Sequence, residues 1–83
     1  MTKPTRSAQH LRAMVQVRLI TQPEAQRRIA QSPSLAPEAG PVTAHDRDTK
    51  GRNWDIRELQ RGEGMEDAFR AIVNGMREAF DLA

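Results

Sequence analysis

The sequence predicts an all-α protein of three to four short helices, with a long irregular Pro-rich segment in the middle. Three observations predict it. The C-terminal stretch "MEDAFRAIVNGMREAFDLA" repeats apolar residues at helical spacing. The N-terminal half carries two helix-start signals. Between them, "SPSLAPEAGP" sets Pro33, Pro37 and Pro41 four residues apart, a spacing no helix can cross. The expected organisation of the 83 residues is a basic helical segment over 1–31, a Pro/Gly-rich linker over 32–52 and an acidic helical segment over 53–83, together one small domain.

The first helix is expected to start at Ser7, whose hydroxyl can cap it, and to bring Ala8, Leu11, Met14, Val15 and Leu19 onto one face. The pattern has two misfits. Arg18 falls within that face, while Val17 and Ile20 fall outside it, as expected of a helix contacted on two sides. Next, "TQPE" reads as a capping box, with Thr21 accepting from the Glu24 amide, Glu24 reaching back and Ile20 stapled onto Ala25. Pro23 suits a first turn, where its missing N–H would have had no intrahelical partner, so a second helix is expected from about Gln22 to Gln31.

The same stretch supports two other readings. Taken at period two, "MVQVRL" becomes a strand with Val15, Val17 and Leu19 inward and Met14, Gln16 and Arg18 outward. In that form it resembles the opening of ribbon-helix-helix regulators, in which an N-terminal strand pairs with its copy in a dimer and lays polar side chains into the major groove. The resemblance implies Gln16 and Arg18 as base readers; apart from it, the charges of Arg27 and Arg28 suit them to phosphates. It covers some twenty residues, and the proline-rich segment stands where that family's second helix would follow. "TQPEAQRRIAQSPS" is similar in order to the first helix and turn of bacterial helix-turn-helix regulators. There the recognition helix would have to be "SLAPEAGP", which Pro37 and Gly40 break. Two short helices are the reading retained.

From Ser32 to Gly51 the chain is expected to carry little regular structure, as a mobile linker or as a segment ordered by something else. Beyond it, Asn53 can cap a short helix "WDIRELQR", with Asp55 near its positive end, Arg61 near its negative end and Gly62 as the stop. Gly64 then opens the strongest element. Met65, Ala68, Phe69, Ile72, Val73, Met76, Ala79 and Phe80 share one face, opposite Glu66, Asp67, Arg70, Asn74, Arg77 and Glu78.

Composition narrows the function. Net charge is only +2, but it is unevenly spread: residues 1–31 hold six cationic side chains against Glu24 alone, and residues 53–83 hold seven carboxylates against four arginines. The two halves can pack on each other or address different partners. Without cysteine there is no disulfide and no thiolate metal site. No apolar run is long enough for a membrane span, and "MTKPTRSAQH" lacks a signal-peptide core, so a soluble, cytoplasmic protein is expected. "DRDTKG" from Asp46 to Gly51 imitates a calcium loop, but Lys50 and Arg57 stand where oxygen ligands must converge. His10 and His45 have no partner at ligand spacing. No catalytic constellation or phosphate-cradling loop is present, so neither an enzyme nor a cofactor is expected.

The function expected from these features is that of a small non-enzymatic regulator, of the anti-activator, antitoxin or phage-inhibitor kind. It would bind and mask another protein, such as a transcription regulator, and a homodimer is compatible with this. The expected contact surface is the C-terminal helix face, Met65, Phe69, Ile72, Val73, Met76 and Phe80, with Trp54 as an anchor; the same face can instead be core against Leu11, Val15 and Leu19, with Trp54 packing the last two helices together. The alternative is a DNA-binding transcriptional regulator using Gln16, Arg18, Arg27 and Arg28 of the basic segment.

Overall fold

A computed structural model describes residues 3–83. The order is β1 (Thr5–Arg6), α1 (Ala8–Ile20), α2 (Pro23–Gln31), a 3-10 turn (Pro33–Leu35), β2 (Glu38–Ala39), β3 (Val42–Ala44), β4 (Trp54–Ile56), β5 (Leu59–Gln60), α3 (Glu66–Ala79) and β6 (Asp81–Leu82). The protein is therefore mixed α/β and not all-α. Among the described residues, three α-helices stand beside six short strands that pair two by two.

The helices follow the local signals. Ser7 accepts from the His10 amide at 3.1 Å and caps α1, which buries Leu11, Val15 and Leu19. Residues 14–19 are helical, which overturns the strand needed for a ribbon dimer. Pro23 opens α2, but there is no capping box. The Thr21 hydroxyl turns back to donate to the Arg18 carbonyl at 2.8 Å and closes α1, while Glu24 pairs with Arg27 and Arg28. Only Ala25 of α2 is buried, and Arg28 ties the helix to the turn before α3, its guanidinium donating to the Arg61 and Glu63 carbonyls. α3 ends one residue before Phe80, where the chain extends into β6 instead of remaining helical to Ala83.

The proline-rich segment and the expected "WDIRELQR" helix fold together as strands. β2 pairs antiparallel with β5, and β3 with β4 in the register Val42 to Ile56, Thr43 to Asp55 and Ala44 to Trp54. Alternation explains the choice: Trp54 and Ile56 point inward and are fully buried, while Asp55 faces the polar side. A helix over these residues would have left Val42–Ala44 without backbone partners. Gln16 anchors the segment to α1, accepting from the Ala39 amide at 2.8 Å and donating to the Pro37 carbonyl at 2.9 Å. Amides of Gly40 and His45, bonded to the Glu58 and Asn53 carbonyls at 2.9 and 3.0 Å, should therefore exchange slowly with solvent. Exchange there as fast as at Thr49 would mean an undocked segment.

The core joins α1, α3 and the inner side of β4: Leu11, Val15, Leu19, Trp54, Ile56, Met65, Phe69, Val73 and Met76 are buried in one cluster. Parallel pairing of β1 with β6 ties the N-terminal segment to the end of the chain. Two glycines shape the approach to α3. Gly64 has φ +83, and Gly62 lies so close to Leu59 that a Cβ would sit 2.2 Å from that side chain. Gly62→Ala should thus cost about 1–3 kcal/mol through overpacking, read as a lower urea midpoint with unchanged slope.

Candidate functional site

The face assigned to a partner lies largely inside the molecule. Trp54, Met65, Phe69, Val73 and Met76 are at most 4% exposed, and Ile72 and Phe80 are half-buried against the same cluster. Trp54 does not join two helices as expected. It stands on β4, and its indole N–H donates to the Phe80 carbonyl at 2.9 Å. What α3 leaves outside is polar or small: Glu66, Asp67, Ala71, Gly75 and Glu78.

The residues singled out for DNA divide in two. Gln16 and Arg28 are engaged within the chain, Gln16 by the Pro-rich segment and Arg28 by the turn before α3. Arg18 and Arg27 are exposed, and Arg27 is paired with Glu24. Only Arg18 of the four keeps an exposed guanidinium that no hydrogen bond or ion pair engages among the described residues.

The polar residues of the 45–55 region form a network around Arg77. This guanidinium is buried and donates to the Trp54 carbonyl at 2.6 Å, to His45 Nε2 at 3.2 Å and to Asn74 Oδ1 at 3.4 Å. Asp48 and Asp55 lie 3.6 and 3.8 Å from it. Because arginine only donates, His45 accepts through Nε2, and its Nδ1 is left to donate to the Asp46 carbonyl at 2.6 Å. Burial lowers the Arg77 pKa, against the opposing pull of Asp55. Asp48, the central carboxylate of the calcium-like loop, accepts from the backbone amides of Lys50 and Arg52 and from the Arg52 guanidinium. Its oxygens therefore close a turn and do not converge on an ion. Among the described residues, no three His, Asp or Glu side chains are grouped to hold a metal.

The network has a pH consequence. The Arg52 amide, against the opposing effect of burial, holds the Asp48 pKa down to about 2. Burial raises the Asp55 carboxyl, but Arg70 at 2.8 Å and Arg77 outweigh it and leave it lowered. Arg47 at 3.1 Å lowers Asp81. The folded chain thus binds fewer protons than the unfolded one at acid pH. Stability from these groups is complete above the unfolded carboxylate value near 4 and is lost as pH falls towards about 2. The carboxylates' contribution should appear as urea midpoints that fall below about pH 4. Asp48→Asn should start lower and fall less.

One surface places the exposed Val17 beside the unpaired Arg18 guanidinium. His10, Ala13, Met14, Val17 and Arg18 line a shallow groove of about 310 Å³ along the outer side of α1. They recur at i, i+3, i+4, i+7 and i+8, a second helical stripe rotated away from Leu11, Val15 and Leu19. Val17 is 59% exposed, the largest value among the exposed large apolar side chains. No carboxylate precedes Glu24 in the chain, so α1 itself carries none. The sequence contained the signal for it, in the Val17 that would not fit the first face.

No known protein family matches this chain, and neither does any curated protein or solved structure. Among the described residues, no helix is long and apolar enough to cross a membrane.

Proposed function

We propose that the chain is a small non-enzymatic regulator of the cytoplasm that binds and masks another protein, docking it on the outer stripe of α1 and not on the buried face of α3. The observation that carries this reading is Val17, standing exposed beside Met14 on a helix whose inner side is already filled. An apolar residue in that position loses water contact only when something covers it. Binding is favoured over catalysis because the acid–base groups closest to one another, His45, Asp48, Asp55 and Asp81, are all held in internal hydrogen bonds and ion pairs.

The test is a photo-crosslinking residue placed at Val17, with Ala71 on the exposed side of α3 as the control, in cells that express the chain. A discrete, protease-sensitive adduct at 17 and none at 71 is expected. Equal adducts at both positions, or none at 17, would contradict the proposal. A nuclease-sensitive adduct at 17 would transfer the function to DNA, with Arg18 as a phosphate contact. Val17→Asp, which alters no buried contact, should abolish the adduct when the crosslinker is moved to Ala13, while changing stability by less than about 0.5 kcal/mol.

A further inference from the structure

We infer that an extended segment of another protein adds to the outer edge of β3 as a further strand, at a site separate from the α1 stripe and independent of what docks there. The His45 amide bonds the Asn53 carbonyl, and β3 keeps one register with β4 from Val42 to Ala44. Backbone groups alternate sides along a strand, so Thr43 and His45 face β4 while the N–H and C=O groups of Val42 and Ala44 point away from it. On the opposite side of the pair, the carbonyls of Trp54 and Ile56 are taken by Arg77 and Arg70. Nothing does the same for Val42 and Ala44 among the described residues. Val42, Thr43 and Ala44 are also free of charge and of proline, so nothing on the strand repels an incoming one.

The chain itself shows which chemistry fits this edge. Earlier on the same segment, the Gln16 carboxamide accepts from the Ala39 amide at 2.8 Å and donates to the Pro37 carbonyl at 2.9 Å, the two bonds a neighbouring peptide unit would make. Beside Val42 there is no such side chain. A groove of about 420 Å³ opens there instead, between Pro41 and Val42 on one side and Ala8, Gln9, Arg12 and Ala13 of α1 on the other. The small side chains of Ala8 and Ala13 let a backbone come close, and alternate side chains of an added strand would lie against them. Arg12, whose Nε donates to the Ala39 carbonyl at 3.1 Å, has its terminal N–H groups at the rim, suited to a carbonyl of the occupant. A second copy is not that occupant. Strands in a sheet lie about 4.8 Å apart. The same edge of a copy would bring its own α1, a cylinder about 10 Å across, against the first. An isolated extended segment carries no such helix.

The experiment uses the full ¹⁵N-labelled chain with Gln9→Cys, an exposed position on the groove wall that becomes the sole thiol. A peptide of about five alternating threonines and valines, ending in a cysteine, is joined to it by a disulfide. The tether holds the peptide beside the groove at roughly millimolar effective concentration. A second peptide has the same side chains but a methyl group on every backbone nitrogen, which removes its donors and blocks close pairing. Before joining, the amides of Val42 and Ala44 should exchange as fast as that of Thr49, and that of Thr43 far more slowly. The first peptide is expected to slow exchange at Val42 and Ala44 by about tenfold or more, and the methylated one to leave it unchanged. Slowing by both peptides alike, or by neither, would overturn the inference. So would protection of these two amides in the peptide-free chain. Protection that grows with protein concentration would give the edge to a second copy, and protection independent of concentration would mean that the edge is closed within the chain.

Discussion

Trp54→Ala should remove most of the stability of the fold and lower its urea midpoint more than any other single substitution in the core. The side chain is fully buried at the centre of the cluster formed by α1, α3 and β4, and truncating a large buried aromatic costs about 3–5 kcal/mol through lost transfer energy and the cavity left behind. Small domains have total stabilities near the low end of about 5–15 kcal/mol, so this loss is most of what holds the fold. Part of it is polar: the indole N–H donates to the Phe80 carbonyl, where α3 gives way to β6. Trp54→Phe keeps much of the volume but leaves that carbonyl without its donor, and should cost about 1–3 kcal/mol. Circular dichroism follows both variants. A Trp54→Ala protein as stable as the parent would show that the indole is not the keystone of the core.

Arg77→Met should have the second largest effect, about 2–3 kcal/mol, because it removes a buried donor and leaves the groups around it facing one another. The Trp54 carbonyl loses its 2.6 Å partner, and His45 Nε2 is left without its donor. Asp48 and Asp55 keep Arg52 and Arg70, which limits the loss. Arg77→Lys retains the charge but not the planar fork that serves a carbonyl, an imidazole and an amide at once, so it should recover only part of the stability. The sole tryptophan lies one bond away, and the red shift of its emission in urea measures both variants. An Arg77→Met midpoint equal to that of the parent would mean that the network contributes nothing net.

The three helices were legible because their signals are local. Ser7 at a cap, Pro23 in a first turn and the apolar period of residues 65–80 depend only on near neighbours in the chain. The strands were not. None exceeds three residues, too short for period-two alternation to stand out, and each exists only through a partner distant in sequence. "WDIRELQR" is rich in helix formers, yet pairing with Glu38–Ala44 and burial of Trp54 and Ile56 outweigh local propensity. The "TQPE" box failed for a similar reason. Glu24 had Arg27 and Arg28 within its own helix and did not reach back. Prolines marked 32–51 as non-helical but carried no information on whether the segment docks. That depended on Gln16, whose side chain satisfies the Ala39 amide and the Pro37 carbonyl.

Of the candidate surface, the apolar face of α3 was visible as a stripe, but whether it met a partner or the chain itself was decided by α1, which covers it. Val17 and Arg18 were visible only as misfits to the first helix pattern. They become a surface because Leu11, Val15 and Leu19 already fill the inner side.

The central claim is that the α3 face is core and the α1 stripe is open to a partner, and thiol labelling measures it directly. The chain contains no cysteine, so Val17→Cys and Val73→Cys each introduce a single reporter of nearly the parent size. In the folded protein, the thiol at 17 should react with a soluble disulfide reagent at the rate of a free thiol. The thiol at 73, from a fully buried side chain, should react only as fast as the protein opens, slower by orders of magnitude and accelerated by urea. Rapid labelling at 73 with protection at 17 would contradict the account and return the partner surface to α3.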